Sequence, residues 1–350
     1  MAKLVLHIGG HKTGTSYLQS LFWHNRALLQ TDGIHYPKFG ANKSHHVMAG
    51  LWMPLPDIPK RLFGPGGAAA LWDGFIADYA GQEGTVFLSA ENFSRLEPKS
   101  VDMRNLAARL AAFEQVQVVY TARHQVELVQ SVWLQIAKTR RAFVLRNFVE
   151  KAIETAVVCG LDLDHGAVYA RLLHGFAPAQ ITVLDYASFR HTPGGMVQVF
   201  LDLLGSRLRP QDFAPTPPDT ANISPDPLSM YVATLITEGQ IPPPDLIDKV
   251  EGLIRPGSRT PTTLLMRGEY ARIGRAFARK NTIFVNKIKV LQSDFSFDPV
   301  PPPDNLFYRD DLTVHHWAAI AAALYRPEPT ARTPGQPQRI LKQLFGKNDS

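Results

Sequence analysis

Lys3-Leu4-Val5-Leu6-His7-Ile8-Gly9-Gly10-His11-Lys12-Thr13-Gly14-Thr15-Ser16-Tyr17-Leu18-Gln19 contains three patterns in succession. Residues 3–8 form a short apolar run, which reads as a buried strand. Gly9 to Gly14 read as a turn. From Thr15 the apolar positions Leu18, Leu21, Phe22, Leu28 and Leu29 fall near helical spacing, and Gly33 ends the run. A strand feeding a glycine turn and then a helix is an anion cradle in outline. The first N–H groups of a helix lack intrahelical partners, and the macrodipole adds positive potential there. Gly9, Gly10 and Gly14 let the backbone come close to an anion. Lys12 brings a full charge, and Thr13, Thr15 and Ser16 bring hydroxyl donors. The order of residues is not that of a Walker A loop, where lysine follows the last glycine directly. Nor is it the G-x-G-x-x-G dinucleotide fingerprint.

Further along, Thr85 to Ser89 and Val116 to Ala122 are compact apolar strands. Between them Ser100 can cap a helix with Val101, Met103, Leu106, Leu110 and Phe113 inward. A helix with Val126, Val129, Trp133 and Ile136 on one side follows the second of these strands. Ile34 to Tyr36 and Ile181 to Asp185 read as further strands, and Met196 to Leu204 as a helix stopped by Gly205. Strands alternating with helices predict a three-layer α/β fold, with a mostly parallel central sheet flanked by helices. Residues 37–67 read as loop and short helix, and 206–227 as a proline-rich connector. Leu228 to Thr237 and Gly268 to Lys280 read as helical C-terminal additions. The expected organisation is one domain over 1–335, with its core at 1–205, a helical and proline-rich part at 206–335, and a polar tail at 336–350.

The 350 residues carry 37 basic and 31 acidic side chains, a net charge of +6. This mild, dispersed excess suits anionic ligands and does not call for nucleic acid. The single cysteine, Cys159, excludes a disulfide framework and a cysteine zinc cluster, and fits a cytoplasmic location. No apolar run reaches the length of a transmembrane helix, and the apolar stretch after Met1-Ala2-Lys3 is too short for a signal peptide. Oligomeric state is not legible.

The segment from His7 to Gln19 resembles the 5′-phosphosulfate loop of sulfotransferases that use 3′-phosphoadenylyl sulfate. It is closest to the bacterial pattern His-Ile-Gly-x-x-Lys-Thr-Gly-Thr-Thr/Ser-x-Leu-Gln. In that family a second strand ends in an arginine, with a serine eight residues later on the next helix, and the two bind the 3′-phosphate. Here Val118-Val119-Tyr120-Thr121-Ala122-Arg123 is followed by Ser131 at that spacing. An arginine fork can meet a phosphate bidentately, and eight helical positions are about two turns. The competing reading of Arg123 is a salt-bridged surface arginine.

The resemblance implies a P-loop-like fold and 3′-phosphoadenylyl sulfate as co-substrate. Gly10, His11, Lys12, Thr13, Gly14, Thr15, Ser16, Arg123 and Ser131 would bind it, without a required metal. Lys12 would stabilise charge on the bridging oxygen. Glu91, in Phe87-Leu88-Ser89-Ala90-Glu91-Asn92, would take the acceptor's proton, although relatives carry Ser-Ser-Glu where this chain has Ser89-Ala90-Glu91. A structural glutamate orienting the phosphate loop is the competing reading. His11, a third candidate catalytic residue, and the adjacent His45 and His46 are rival bases. The histidine pair lacks a carboxylate or cysteine at metal-ligand spacing.

The resemblance covers roughly residues 3–30, 85–138 and, more weakly, 160–230. Asp219-Thr220-Ala221-Asn222-Ile223-Ser224 resembles a family Asn-x-Ser element, and reads equally as a helix cap. The Arg-Lys-Gly nucleotide loop of the cytosolic branch is not found. The acceptor, whether glycan, lipid, phenol, peptide or other small molecule, would meet the loops 37–67 and 139–165. Trp23, Trp52, Trp72 and Trp133 could stack on a sugar or belong to the core. A P-loop kinase and a non-catalytic nucleotide-binding scaffold are the alternatives.

Overall fold

The computed structural model describes residues 1–325 apart from 41, 217–224, 256–259 and 300. The Asn-x-Ser element, the polar tail and the expected boundary near 335 lie outside the described residues. The chain divides into two units, Met1–Asp311 and Leu312–Ser350; the second is represented by one helix, Val314–Tyr325.

In the first unit β1 (Lys3–His7) leads to α1 (Thr15–His24), α2 (Arg26–Thr31) and β2 (Ile34–His35). Next come α3 (Gly67–Tyr79), β3 (Thr85–Ser89), α4 (Met103–Leu110), β4 (Gln115–Ala122), α5 (Gln125–Thr139) and α6 (Leu145–Thr155). A small hairpin of β5 (Val157–Val158) and β6 (Leu161–Asp162) precedes α7 (His165–Leu172), β7 (Ile181–Asp185) and α8 (Gly195–Leu204). The helices α9 (Pro227–Ile236), α10 (Pro244–Ile254) and α11 (Arg267–Lys289) are the C-terminal additions.

The main sheet has the order β2-β3-β1-β4-β7, with every pairing parallel. β1 is therefore central, and its side chains serve both faces because alternate residues point oppositely. Leu4, Leu6 and Ile8 pack with Trp72, Leu106, Leu110 and Leu172 on one side. Val5 packs with Leu18, Phe22, Phe87, Val119 and Phe200 on the other. Two helical layers thus sandwich the sheet, as the strand–helix alternation predicts. A separate core joins α5, α6, α9 and α11 through Val129, Trp133, Phe148, Met230, Ile273 and Phe277.

Local details depart from the sequence pattern where a side chain outcompetes it. The apolar run after Thr15 is broken into α1 and α2 at Asn25. Its amide donates to the carbonyls of Leu21 and Ala214 and accepts from the Ala214 N–H, diverting the backbone. Asp102, not Ser100, caps α4, its carboxylate accepting from the N–H groups of Arg104 and Asn105. α3 buries only Trp72 and Phe75, too few inward positions to announce a helical period. α11 runs nine residues beyond Lys280, to Lys289. Trp52, Trp72 and Trp133 belong to the core, whereas Trp23 carries the cations of Arg26 and Lys38 over its ring.

Candidate functional site

The carboxyl ends of β1, β3 and β4 lie side by side, so the loops leaving them share one edge of the sheet. The loop after β1 is pinned on both flanks. Ile8 N–H donates to Val119 C=O (3.0 Å), and Thr121 N–H to Gly9 C=O (3.0 Å). On the β3 side Ala90 N–H donates to His7 C=O (2.9 Å). Gly10 passes so close to β4 that a Cβ there would sit 2.1 Å from the Thr121 carbonyl oxygen. Lys12 has φ +63°, a left-handed conformation that a side chain disfavours by about 1–2 kcal/mol. Gly14, with φ +79°, starts α1, which no side chain caps and whose first turn holds no acid. The loop is thus a main-chain cradle ending at an uncapped helix N-terminus.

Lys12 Nζ donates to the neutral Gln135 Oε1 at 3.0 Å, not to a carboxylate. Burial, then the neighbouring cations Lys138 and Arg123, pull its pKa below the usual lysine range. The Glu91 carboxylate acts in the opposite sense and only partly offsets them. Arg123, just past β4, donates through its guanidinium to the Lys12 carbonyl oxygen and through Nε to Glu127 (3.1 Å), with Tyr186 under its plane at 4.8 Å. Lys12 and Arg123 therefore stand together at one sheet edge. Ser131 lies on α5 one turn before Gln135, the partner of Lys12, so the two share a helix face. The Arg123–Glu127 pair is the ion pair that the surface reading of Arg123 anticipates; Glu127 also takes Arg190 at 3.3 Å.

The two threonine hydroxyls of the loop turn inward. Thr13 Oγ1 donates to Gly10 C=O (2.6 Å) and Thr15 Oγ1 to Glu91 Oε1. Ser16 is exposed. Glu91, in the 3-10 turn Glu91–Ser94 after β3, is 7% exposed. Its second oxygen takes Gln19 Nε2 (3.1 Å) and His46 Nε2 (3.2 Å). Burial by itself raises the Glu91 carboxyl, but His46, His11 and the Thr15 hydroxyl outweigh it and hold the group at about 2. Both carboxylate oxygens are thus engaged by neighbouring donors.

The histidines separate cleanly. His45 uses both ring nitrogens, Nδ1 accepting from Ser89 N–H (2.8 Å) and Nε2 meeting Pro37 C=O (2.9 Å). Burial lowers its pKa to about 4, so it stays neutral and structural. His11 is part exposed, yet its Nε2 is fully covered and without a hydrogen-bond partner; burial lowers it to about 4 as well. His46 is held by Glu91 through Nε2, while its covered Nδ1 has no partner. Sequence reasoning missed two contributors, Gln19 and Arg95. Gln19 was visible only as the last residue of the loop motif. Arg95 follows Glu91 by four residues, and its charge acts on the His11 ring. Among the described residues no cluster of His, Cys, Asp or Glu could hold a metal ion, and no helix is long and apolar enough to cross a membrane.

No family model matches the chain, and no curated protein matches it. Solved structures similar to it include a sulfotransferase from Alicyclobacillus acidocaldarius, with TM-score 0.37 and 20% identity over 71% of this chain and 94% of that one. Another is the sulfotransferase domain from the curacin biosynthetic pathway, with TM-score 0.36 and 12% identity over 79% and 97%. Likenesses this distant leave the chemistry to the side chains.

Proposed function

We infer that the protein transfers a sulfuryl group from 3′-phosphoadenylyl sulfate to an acceptor hydroxyl or amine. The observation that carries this reading is the contact between the Arg123 guanidinium and the Lys12 carbonyl. It sets the Arg123 side chain against the loop backbone, and this adjacency supports one ligand reaching both, with its phosphosulfate at the loop and its 3′-phosphate at Arg123. The fit is supported by the uncapped α1 N-terminus, the loop backbone that only Gly10 can bring against Thr121, and the Lys12 ammonium that lacks a carboxylate. Opening the Arg123–Glu127 pair toward the 3′-phosphate exchanges one anionic partner for another.

The acceptor oxygen forms a bond to sulfur while the bridging sulfur–oxygen bond breaks, and 3′-phosphoadenosine 5′-phosphate leaves. Negative charge grows on the bridging oxygen. Lys12 and the loop N–H groups are suited to stabilise it there. The acceptor's proton goes to the Glu91–His46 pair, joined at 3.2 Å; His46 Nδ1 is covered, so transfer through it requires the ring to swing toward the acceptor while Thr15 and Gln19 hold the carboxylate. Thr15 and Gln19 link this dyad to α1, so the base and the anion loop move as one body.

The test is titration calorimetry with 3′-phosphoadenosine 5′-phosphate and with ATP, each with and without magnesium, followed by a labelled-donor assay over an acceptor panel. Metal-independent preference for the bisphosphate is expected. Preference for ATP with magnesium refutes the reading in favour of a P-loop kinase, and bisphosphate binding with no transfer to any acceptor favours the scaffold.

A further inference from the structure

Beside the site lies a second feature that the transfer chemistry does not use. A cavity of about 990 Å³ is lined by residues of Arg95–Pro98, the α5–α6 connection, α6 and the β5–β6 turn. Its apolar wall includes Phe143, Phe148 and Val158, with the Phe143 and Phe148 rings stacked at 6.0 Å. Phe143 and Val144 are 49% and 68% exposed, an uncommon outlay of apolar surface beside a polar rim.

Three cations, Arg95, Arg140 and Lys151, line the same cavity, against the one acid Glu97. None of the three forms an ion pair among the described residues. All three charges act on one point, the Cys159 thiol, whose pKa burial raises and they lower. Arg95 is not a loose surface arm. Its guanidinium donates to the carbonyls of Cys159 (2.6 Å) and Glu97 (3.1 Å), neutral groups that fix its position without an ion pair. Leu96 N–H donates to Gly160 C=O (3.0 Å), closing the same clamp. Gly160, at φ +76°, approaches the Glu97 carbonyl so closely that a Cβ would stand 2.8 Å from it. The neighbouring cavity, which shares Phe143 and Val144, is charge-balanced by contrast: Arg141, Arg146, Arg272 and Arg309 face Glu150, Glu238, Glu269 and Asp310. The cavity adjoins the anion loop through the chain itself: Arg95 follows directly on Ser94, which lines a small pocket with Gly10, His11 and Arg123.

We propose that this cavity receives the acceptor, and that the acceptor is an anionic amphiphile: an apolar body that bears a carboxylate or phosphate in addition to the hydroxyl that takes the sulfuryl group. This rests on the transferase reading above. The apolar wall takes the body and the cation trio takes the anionic group, which a neutral glycan lacks. Near a partly exposed surface, such charge complementarity is worth about 1 kcal/mol, or roughly fivefold in affinity.

Cys159 is the chain's single cysteine and reports occupancy. In the full-length protein, its alkylation by N-ethylmaleimide is timed with decanoate, decanol or decyltrimethylammonium present. Decanoate is expected to protect at concentrations about fivefold lower than decanol, and the ammonium to protect least. The double charge reversal Arg140→Glu with Lys151→Glu, both exposed positions, should erase or invert that order. With 3′-phosphoadenylyl sulfate as donor, 10-hydroxydecanoate should be sulfated with about fivefold higher kcat/KM than 1,10-decanediol, and the double variant should lose that preference. Equal protection by the three probes, or equal turnover of the two alcohols, overturns the proposal. Calorimetry with 3′-phosphoadenosine 5′-phosphate separates the two failures. If the bisphosphate binds but decanoate has no advantage, only the acceptor class is wrong. If decanoate protects but the bisphosphate does not bind, the transferase reading is wrong and the acceptor role falls with it.

Discussion

Substituting Gly10 by alanine adds one methyl group at the tightest point of the anion loop. The backbone of Gly10 does not have the positive φ of Gly9 or Gly14, so its conformation alone does not resist a side chain. The obstacle is the Thr121 carbonyl oxygen, 2.1 Å from the new Cβ, where ordinary contact begins near 3.4 Å. Strand backbone cannot yield as a side chain can, so the loop must withdraw by about 1 Å. That withdrawal strains the Thr121 N–H to Gly9 C=O bond and the Arg123 contact to Lys12. Overpacking of this kind costs about 1–3 kcal/mol, and one weakened hydrogen bond about 1 kcal/mol more. The expected stability loss is about 2–4 kcal/mol by urea unfolding. A displacement of about 1 Å in a positioned site costs on the order of 100-fold, so the Kd for 3′-phosphoadenosine 5′-phosphate should rise by about that factor in calorimetry. Gly33→Ala is the control. Its φ is +76° and nothing lies within 4 Å of the added Cβ, so it should lose about 1 kcal/mol of stability and no affinity. A Gly10→Ala protein that binds the bisphosphate as the wild type does would falsify the view that this close approach shapes the anion site.

Lys12→Ala should lose nearly all turnover, a normal kcat being the contrary result, while Arg123→Ala should mainly raise the Kd of the bisphosphate, by about 10–100-fold. His46→Ala should lower kcat by about 100-fold or more with bisphosphate affinity unchanged. If His46→Ala keeps wild-type kcat and Glu91→Gln abolishes it, the proton acceptor is Glu91 after all. Acid stability has two windows. His7, His45 and His165 are held by burial at about 4 against an ordinary 6.5, so the unfolded chain takes up protons first; the stability this represents is whole above pH 6.5 and drains away as pH falls toward 4. Glu91, depressed from 4.5 to about 2, adds a second loss between those values. Urea midpoints should therefore begin to fall below pH 6.5, and a flat profile down to pH 4.5 would contradict the buried neutral histidines.

The fold was legible from local pattern. Leu4-Val5-Leu6, Val86-Phe87-Leu88 and Val118-Val119-Tyr120 are continuous apolar runs because both faces of a parallel sheet are covered. The glycines and Lys12 between β1 and α1 announced an anion loop for reasons confined to a dozen residues. What misled the local reading was side-chain competition: Asn25 splitting a helix, Asp102 taking the cap from Ser100, and α3 packing too few residues inward to show a period.

The sequence by itself determined that a strand, a cradle and a helix recur in the order that builds a parallel sheet, since strand and helix periods depend on neighbours a few residues apart. Only the tertiary structure decided which side chains are free to act. Glu91 meets Thr15 and Gln19 across more than 70 residues, His45 is consumed by Ser89 and Pro37 while His46 keeps one covered nitrogen without a partner, and Arg123 reaches the Lys12 carbonyl 111 positions away. Whether a titratable group is spent or available depends on partners delivered by packing, and no local spacing encodes them.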